Sequence, residues 1–183
     1  VVRADGNAFF LEELIRAAGE GATPDTLPKN VLGMLQARLD ALSAKERRVM
    51  RAASVFGDVF WLGGVLKLLG EKPAASDLVR GWLANLKDRE LLVERRSSTY
   101  SDETEYAFRH DLVRVATYTM LTDGDKTLGH RLAANWLETM GQCDPETLAR
   151  HFELGGVSDH AIRCYLMAAE HALAGNDLQD AMS

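Results

Sequence analysis

Along residues 43–121 the spacing of apolar side chains changes twice, from about 3.6 residues to 2 and back again, and few folds accommodate that order. The stretch opens on "SAKE" at 43–46. There Ser43 can accept a backbone N–H while the Glu46 carboxylate reaches back to the Ser43 N–H, which fixes a helix start. Val49, Met50, Ala53 and Phe56 then face inward until Gly57. "DVFWLGGVLKLLG" reads as a shorter apolar helix ending at Gly70, and Ser76 as the cap of another that buries Leu78, Val79, Trp82, Leu83 and Leu86.

The period then drops to 2. "LLVERR" (91–96) and "TEYAFRH" (104–110) flank the polar "SSTYSDE", the pattern of a hairpin with a long loop. Three short helices followed by a two-stranded ribbon is the order of a winged helix. Helical spacing resumes with Leu112, Val113, Val115, Ala116, Tyr118, Thr119 and Leu121.

The flanks are helical. Residues 7–20 place Phe10, Leu11, Leu14, Ile15 and Ala18 on one face, and Pro28 leads into a stripe of Val31, Leu32, Leu35, Leu39 and Leu42. Downstream, 126–140 carries Leu128, Leu132, Ala133, Trp136, Leu137 and Met140, and Pro145 opens another helix reaching Leu154. "GGVSDHA" (155–161) and "GNDLQDA" (175–181) share a turn-forming start and an Ala six residues on. Between them lie the small and aromatic residues Ala161, Tyr165, Ala168, Ala169 and Ala172 with which paired helices pack. This echo reads as the start of tetratricopeptide-like repeats, with ordinary helix packing left open. The fold class expected is mainly α, in three parts: 1–42, a helical lid; 43–121, a winged helix with a small β-hairpin; and 122–183, a helical array. The chain begins without Met and stops inside an apparent helix start, so it reads as a piece of something longer.

Charge and composition narrow the function. The 46% hydrophobic and 26% charged content suits a packed fold. The formal charge of −6 is uneven: residues 43–121 hold 13 Lys/Arg against 11 Asp/Glu, and residues 122–183 hold 4 against 10. Neither part has the dense basic face that a phosphate backbone requires. Arg80, Lys87 and Arg89 on the helix that would enter a major groove are offset by Asp77, Asp88 and Glu90, and Arg95 and Arg96 are a thin footprint. Cys143 and Cys164 form no CxxC, and the five histidines show no metal-ligand spacing. No phosphate loop or nucleophile elbow is present, and the pairs Glu12–Glu13 and Asp102–Glu103 read as solvated surface. The segment is therefore not expected to be an enzyme on its own. The longest apolar run, 59–70, is too short to span a bilayer, so the expected setting is cytoplasmic and off the membrane.

Taken in order, "GNAFFLEELIRA", "LSAKERRVMRAASVFGDVFWLGGVLKLLG", "LVRGWLANLKDRELLVERR", "EYAFRHDLVRVATYTML" and "ARHFELGGVSDHAIRCYLMAAEHA" resemble one family along nearly the whole chain. It is similar to the region after the nucleotide-binding core of STAND signal-transduction ATPases. This AAA-related group includes maltose-regulon-activator-like and large LuxR-type regulators, and ATPase modules linked to cyclases or kinases. In that family a Gly-x-Pro stretch at the start of the lid packs on the nucleotide base. Gly6 and Asn7 match, and Ala8 stands where Pro is usual, without its fixed φ. Asn7 equally suits a plain helix cap. The family also has a histidine at the end of the winged-helix ribbon, usually followed by Asp, that contacts the β-phosphate of ADP. His110 and Asp111 of "FRHD" fall there.

The resemblance implies a switch in which ATP or ADP, held by an upstream ATPase core, sets how the winged helix docks, while an inducer or partner protein engages the helical array. No nucleotide is expected to bind the isolated segment. Two other readings stand beside it: a helical interaction scaffold without a nucleotide role, and a DNA-binding winged helix.

Overall fold

The computed structural model describes residues 31–141 and 143–180, so the expected helix over 7–20 lies outside the described residues. Over the described residues the chain is mainly helical, with a small three-stranded antiparallel sheet. Helix α1 (Val31–Asp40) leads into α2 (Ala44–Phe56), and the capping box forms: Glu46 N–H donates to Ser43 Oγ at 3.2 Å, and Ser43 N–H to Glu46 Oε2 at 2.8 Å. Gly57 ends α2 at φ 114°, a backbone region closed to most L side chains.

The next stretch departs from the expected single helix. Val59–Trp61 is a strand, β1, and only Leu62–Leu69 is helical, as α3. β-Branched and aromatic side chains favour the extended form, and three residues carry too little periodicity to separate strand from helix. A 3₁₀ turn at Pro73–Ala75 precedes α4 (Ser76–Asp88), so Ser76 is the first helical residue rather than the cap, and no side chain caps this helix. Val79, Leu83 and Leu86 are buried as expected, whereas Leu78 is 64% exposed.

The hairpin strands are shorter than the apolar runs: β2 is Leu92–Glu94 and β3 is Glu105–Phe108. β3 lies central in the order β1-β3-β2, with Phe60 opposite Tyr106 and Val93 opposite Ala107. Phe60 stacks on Tyr106 with ring centres 5.7 Å apart. The loop between the strands also serves α3. Thr104 C=O accepts from Leu62 N–H at 3.1 Å, and Glu103 Oε2 accepts from Gly63 N–H at 2.8 Å. A Cβ on residue 63 would lie 2.1 Å from Glu103 Oε1, so glycine admits the carboxylate. Glu103 is therefore a helix cap supplied from a distance, not the solvated surface charge its sequence suggests.

Beyond the sheet come α5 (Asp111–Thr119), α6 (Asp123–Met140), α7 (Pro145–Leu154) and α8 (Ser158–Asp180). Thr122 and Asp144 cap α6 and α7 through bonds to Asp125 N–H and Thr147 N–H. Helix α8 runs unbroken through Gly175, where the repeat echo called for a new turn; one glycine inside a helix costs only about 1 kcal/mol. A single apolar core joins Leu35 and Leu39 of α1 to Ala133, Trp136 and Leu137 of α6. A smaller cluster of Ala134, Ala149, Phe152, Ala161 and Cys164 sits where α6, α7 and α8 meet. Among the described residues no helix is long and apolar enough to cross a membrane.

Candidate functional site

His110 stands at a junction fixed from both sides. Phe108 N–H donates to Asp58 C=O at 3.0 Å and Arg109 N–H to Leu91 C=O at 3.0 Å, so the end of β3 is tied to the segments preceding β1 and β2. The chain then turns into α5, with His110 as its N-cap residue in extended conformation (φ −139°, ψ 136°). The His110 carbonyl accepts from Val113 N–H at 3.0 Å, but the imidazole makes no capping hydrogen bond. The ring is partly exposed beside a helix start, where backbone N–H groups and the helix dipole favour an anion.

Asp111, the first residue of α5, is committed to Arg114: its Oδ1 accepts from Nε at 2.9 Å and lies 2.8 Å from the terminal guanidinium nitrogen. Arg114 Nε also lies 2.8 Å from Asp58 Oδ1. One guanidinium thus spans the entry to β1 and the start of α5, the residue after His110. Helix α1 packs on α5, with Leu35 and Leu39 in the same core as Val113. Gly6, Asn7 and Ala8 lie outside the described residues, so the structure brings together only the His110–Asp111 half of the expected site.

A polar cluster that the sequence did not signal lies in the interior. His130 of α6 and His151 of α7, 5% and 6% exposed, face each other with Nδ1 atoms 3.0 Å apart, and the Tyr118 hydroxyl lies 2.8 Å from His130 Nε2. A neutral pair needs one proton between the two Nδ1 atoms. The Phe56 carbonyl at the end of α2 favours a proton on the other nitrogen of His151. His151 Nδ1 then accepts from His130 Nδ1–H, and His130 Nε2 accepts from the Tyr118 hydroxyl. Burial, reinforced by nearby Arg150, pushes His130 down to about 4; burial, then His130 and Arg150, does the same to His151. Each histidine occupies an apolar stripe of its helix, His130 with Ala133, Ala134 and Leu137, the one sequence signal that could have marked it as internal. Among the described residues no group of three or more His, Cys, Asp or Glu can hold a metal ion, and the pair lacks a third ligand.

An open cleft of about 220 Å³ lies between α2, the end of α3 and the start of α6, with Arg48, Arg51 and Asp125 over a floor that includes Leu68 and Leu128. Arg48 is engaged by the Leu69 carbonyl and, at 3.5 Å, by Glu71. The cationic side chains that a DNA-binding reading would use are engaged by neighbours within the chain, at its surface. Arg80 donates to Thr104 Oγ1 at 3.0 Å, Lys87 pairs with Glu94, and Arg95 lies 3.2 Å from Glu105. Both cysteines are free thiols. Comparison with protein-family models, curated proteins and solved structures finds no match.

Proposed function

We propose that residues 43–121 form a winged helix, and that the chain is the regulatory part of a signal-transduction ATPase in which His110 senses the nucleotide state. The observation that carries this reading is the placement of one imidazole. His110 follows the central strand of a sheet ordered β1-β3-β2, and that sheet is interleaved with helices in the order α2, β1, α3, α4, β2, β3. The ring sits at the start of α5, which packs on α1, the end of the expected lid. An imidazole N–H there adds a donor to a helix start already disposed to an anion, and the β-phosphate of ADP is the anion this reading assigns. Arg114, bridging Asp58 and Asp111, keeps the turn in one geometry. The nucleotide core upstream and an inducer or partner on the C-terminal helices are parts of the same proposal.

A ligand shifts such a switch only by its differential affinity for the two states, so His110 must contact ADP in one state and not in the other. The test is calorimetric titration of ADP into the protein carrying its ATPase core. His110→Ala should weaken ADP about 10- to 100-fold, the loss of a hydrogen bond to a charged group, and raise basal output. Unchanged ADP affinity overturns the reading. The scaffold reading keeps one observation in its favour, the exposed apolar side chains Ile162, Leu166 and Leu173 on α8. DNA binding has none, since Arg80, Lys87 and Arg95 are paired internally.

A further inference from the structure

Helix α8 carries two apolar stripes, one packed and one exposed. Ala161, Cys164 and Ala168 turn toward α7, the first two buried there. About a third of a turn away, Ile162, Leu166 and Leu173 are 57%, 60% and 66% exposed, and with exposed Ala169 they recur at intervals of four, three and four residues. That interval is the a/d seam of a coiled coil, with Leu166 and Leu173 at a and Ile162 and Ala169 at d. A surface helix ordinarily shows one apolar stripe, so a second, regularly spaced one indicates a partner helix.

The charges beside the seam say which partner. Arg163 and Glu170 are both exposed and both fall at e positions, one heptad apart. In a parallel pair e meets g, and the g positions here are Ser158, Tyr165 and Ala172, which offer no charge. In an antiparallel pair e meets e. When Ile162 packs against Leu173 of a second copy, and Leu166 against its Ala169, Arg163 lies between those two layers on one helix. Glu170 of the second copy lies between the same layers on the other. The two-fold axis repeats the pair, so both ion pairs form at once and every a or d side chain in the seam meets its complement.

We infer that the outer face of α8 is a self-association surface on which two copies of this chain pair antiparallel through Ile162, Leu166, Ala169 and Leu173. The described part of the seam is short, so the dimer is expected to be concentration-dependent.

The test is sedimentation velocity on the 183-residue chain over a range of concentrations. The wild type should show a reversible monomer–dimer equilibrium, and Leu166→Glu should be monomeric throughout with an unchanged circular dichroism spectrum. Arg163→Glu and Glu170→Arg each turn both ion pairs into repulsions and should weaken the dimer about tenfold or more; the double exchange should restore it to within about threefold of wild type. A wild type that stays monomeric overturns the inference and leaves the face to another protein or another segment of a longer chain. A Leu166→Glu dimer, or single and double exchanges that weaken association alike, overturns it too.

Discussion

Nδ1 of His130 and Nδ1 of His151 lie 3.0 Å apart in the interior, and that contact joins α6 to α7. Only a pair carrying one shared proton suits this geometry, because two imidazolium rings would set two N–H donors and two charges against each other. The folded protein therefore refuses protons that the unfolded chain accepts.

The consequence is a pH dependence of stability with a defined sign. Both imidazoles are lowered to about 4 by burial, from an ordinary value near 6.5. Above the unfolded value neither state is protonated and the full stability is present. As pH falls below it, only the unfolded state gains protons, so stability is lost until the folded pair titrates. By about pH 5 the loss should approach about 2 kcal/mol per histidine. Urea unfolding at neutral and acidic pH measures it, and replacing both rings by Gln should flatten this part of the slope. A double variant as acid-sensitive as the wild type would assign the dependence to other groups.

Glu105 is a buried carboxylate held by its neighbours. It is 3% exposed, accepting from Thr99 N–H at 2.7 Å and Trp61 Nε1–H at 3.0 Å, with Arg95 at 3.2 Å. Burial pushes its carboxyl up, and the Thr99, Trp61 and Arg95 contacts outweigh that, leaving it below the usual range. Glu105→Gln keeps part of this network and should cost about 1–3 kcal/mol. Glu105→Ala, which orphans Trp61 and Thr99, should cost about 3–5 kcal/mol and expose the Thr99 amide to hydrogen exchange. A Glu105→Gln variant as stable as the wild type would show that the charge contributes nothing.

Gly155 sets how closely α7 approaches α6. A Cβ there would lie 2.7 Å from the Arg131 backbone nitrogen and 2.8 Å from its Cα, atoms that cannot rotate away. Its φ of −80° suits any residue, so the constraint is contact and not conformation. Gly155→Ala should destabilise by about 1–3 kcal/mol through forced separation of the helices, readable as a lowered Tm. A neutral substitution would show that the helices have slack at this crossing.

Local signals are legible in the sequence, and distant ones are not. Ser43 and Glu46 stand three residues apart, so their reciprocal bonds follow from spacing and residue type alone. Leu92–Glu94 and Glu105–Phe108 pair where alternation places a hairpin. Val59–Trp61 is a strand only because β3 offers it an edge, a partner more than forty residues away. The Glu103 cap on Gly63 and the histidine pair are long-range in the same sense. Gly175 misleads for the opposite reason: it carries a turn residue's signature, yet the helix around it does not break. Of the candidate site, the position of His110 at the β3–α5 turn is readable, while the Asp58–Arg114–Asp111 bridge beneath it is not.

Trp136 ties the helices beyond residue 121 to the sheet. Lying on α6 and 8% exposed, it stacks on Trp61 of β1 with ring centres 5.6 Å apart, and meets Phe56 and Tyr100 edge-on at 5.7 Å each. Four aromatic rings from α2, β1, the hairpin loop and α6 therefore share one contact, and α6 closes the same core as the sheet. Trp136→Ala should cost about 3–5 kcal/mol, and Trp136→Phe, which keeps a ring in place, clearly less. Because β1 lies under the indole, the loss should reach the sheet, lowering hydrogen-exchange protection of the Phe60 and Tyr106 amides together with amides in α6. If Trp136→Ala loosens α6 while those two amides keep wild-type protection, residues beyond 121 fold as a separate unit and the shared ring cluster is only a surface between two.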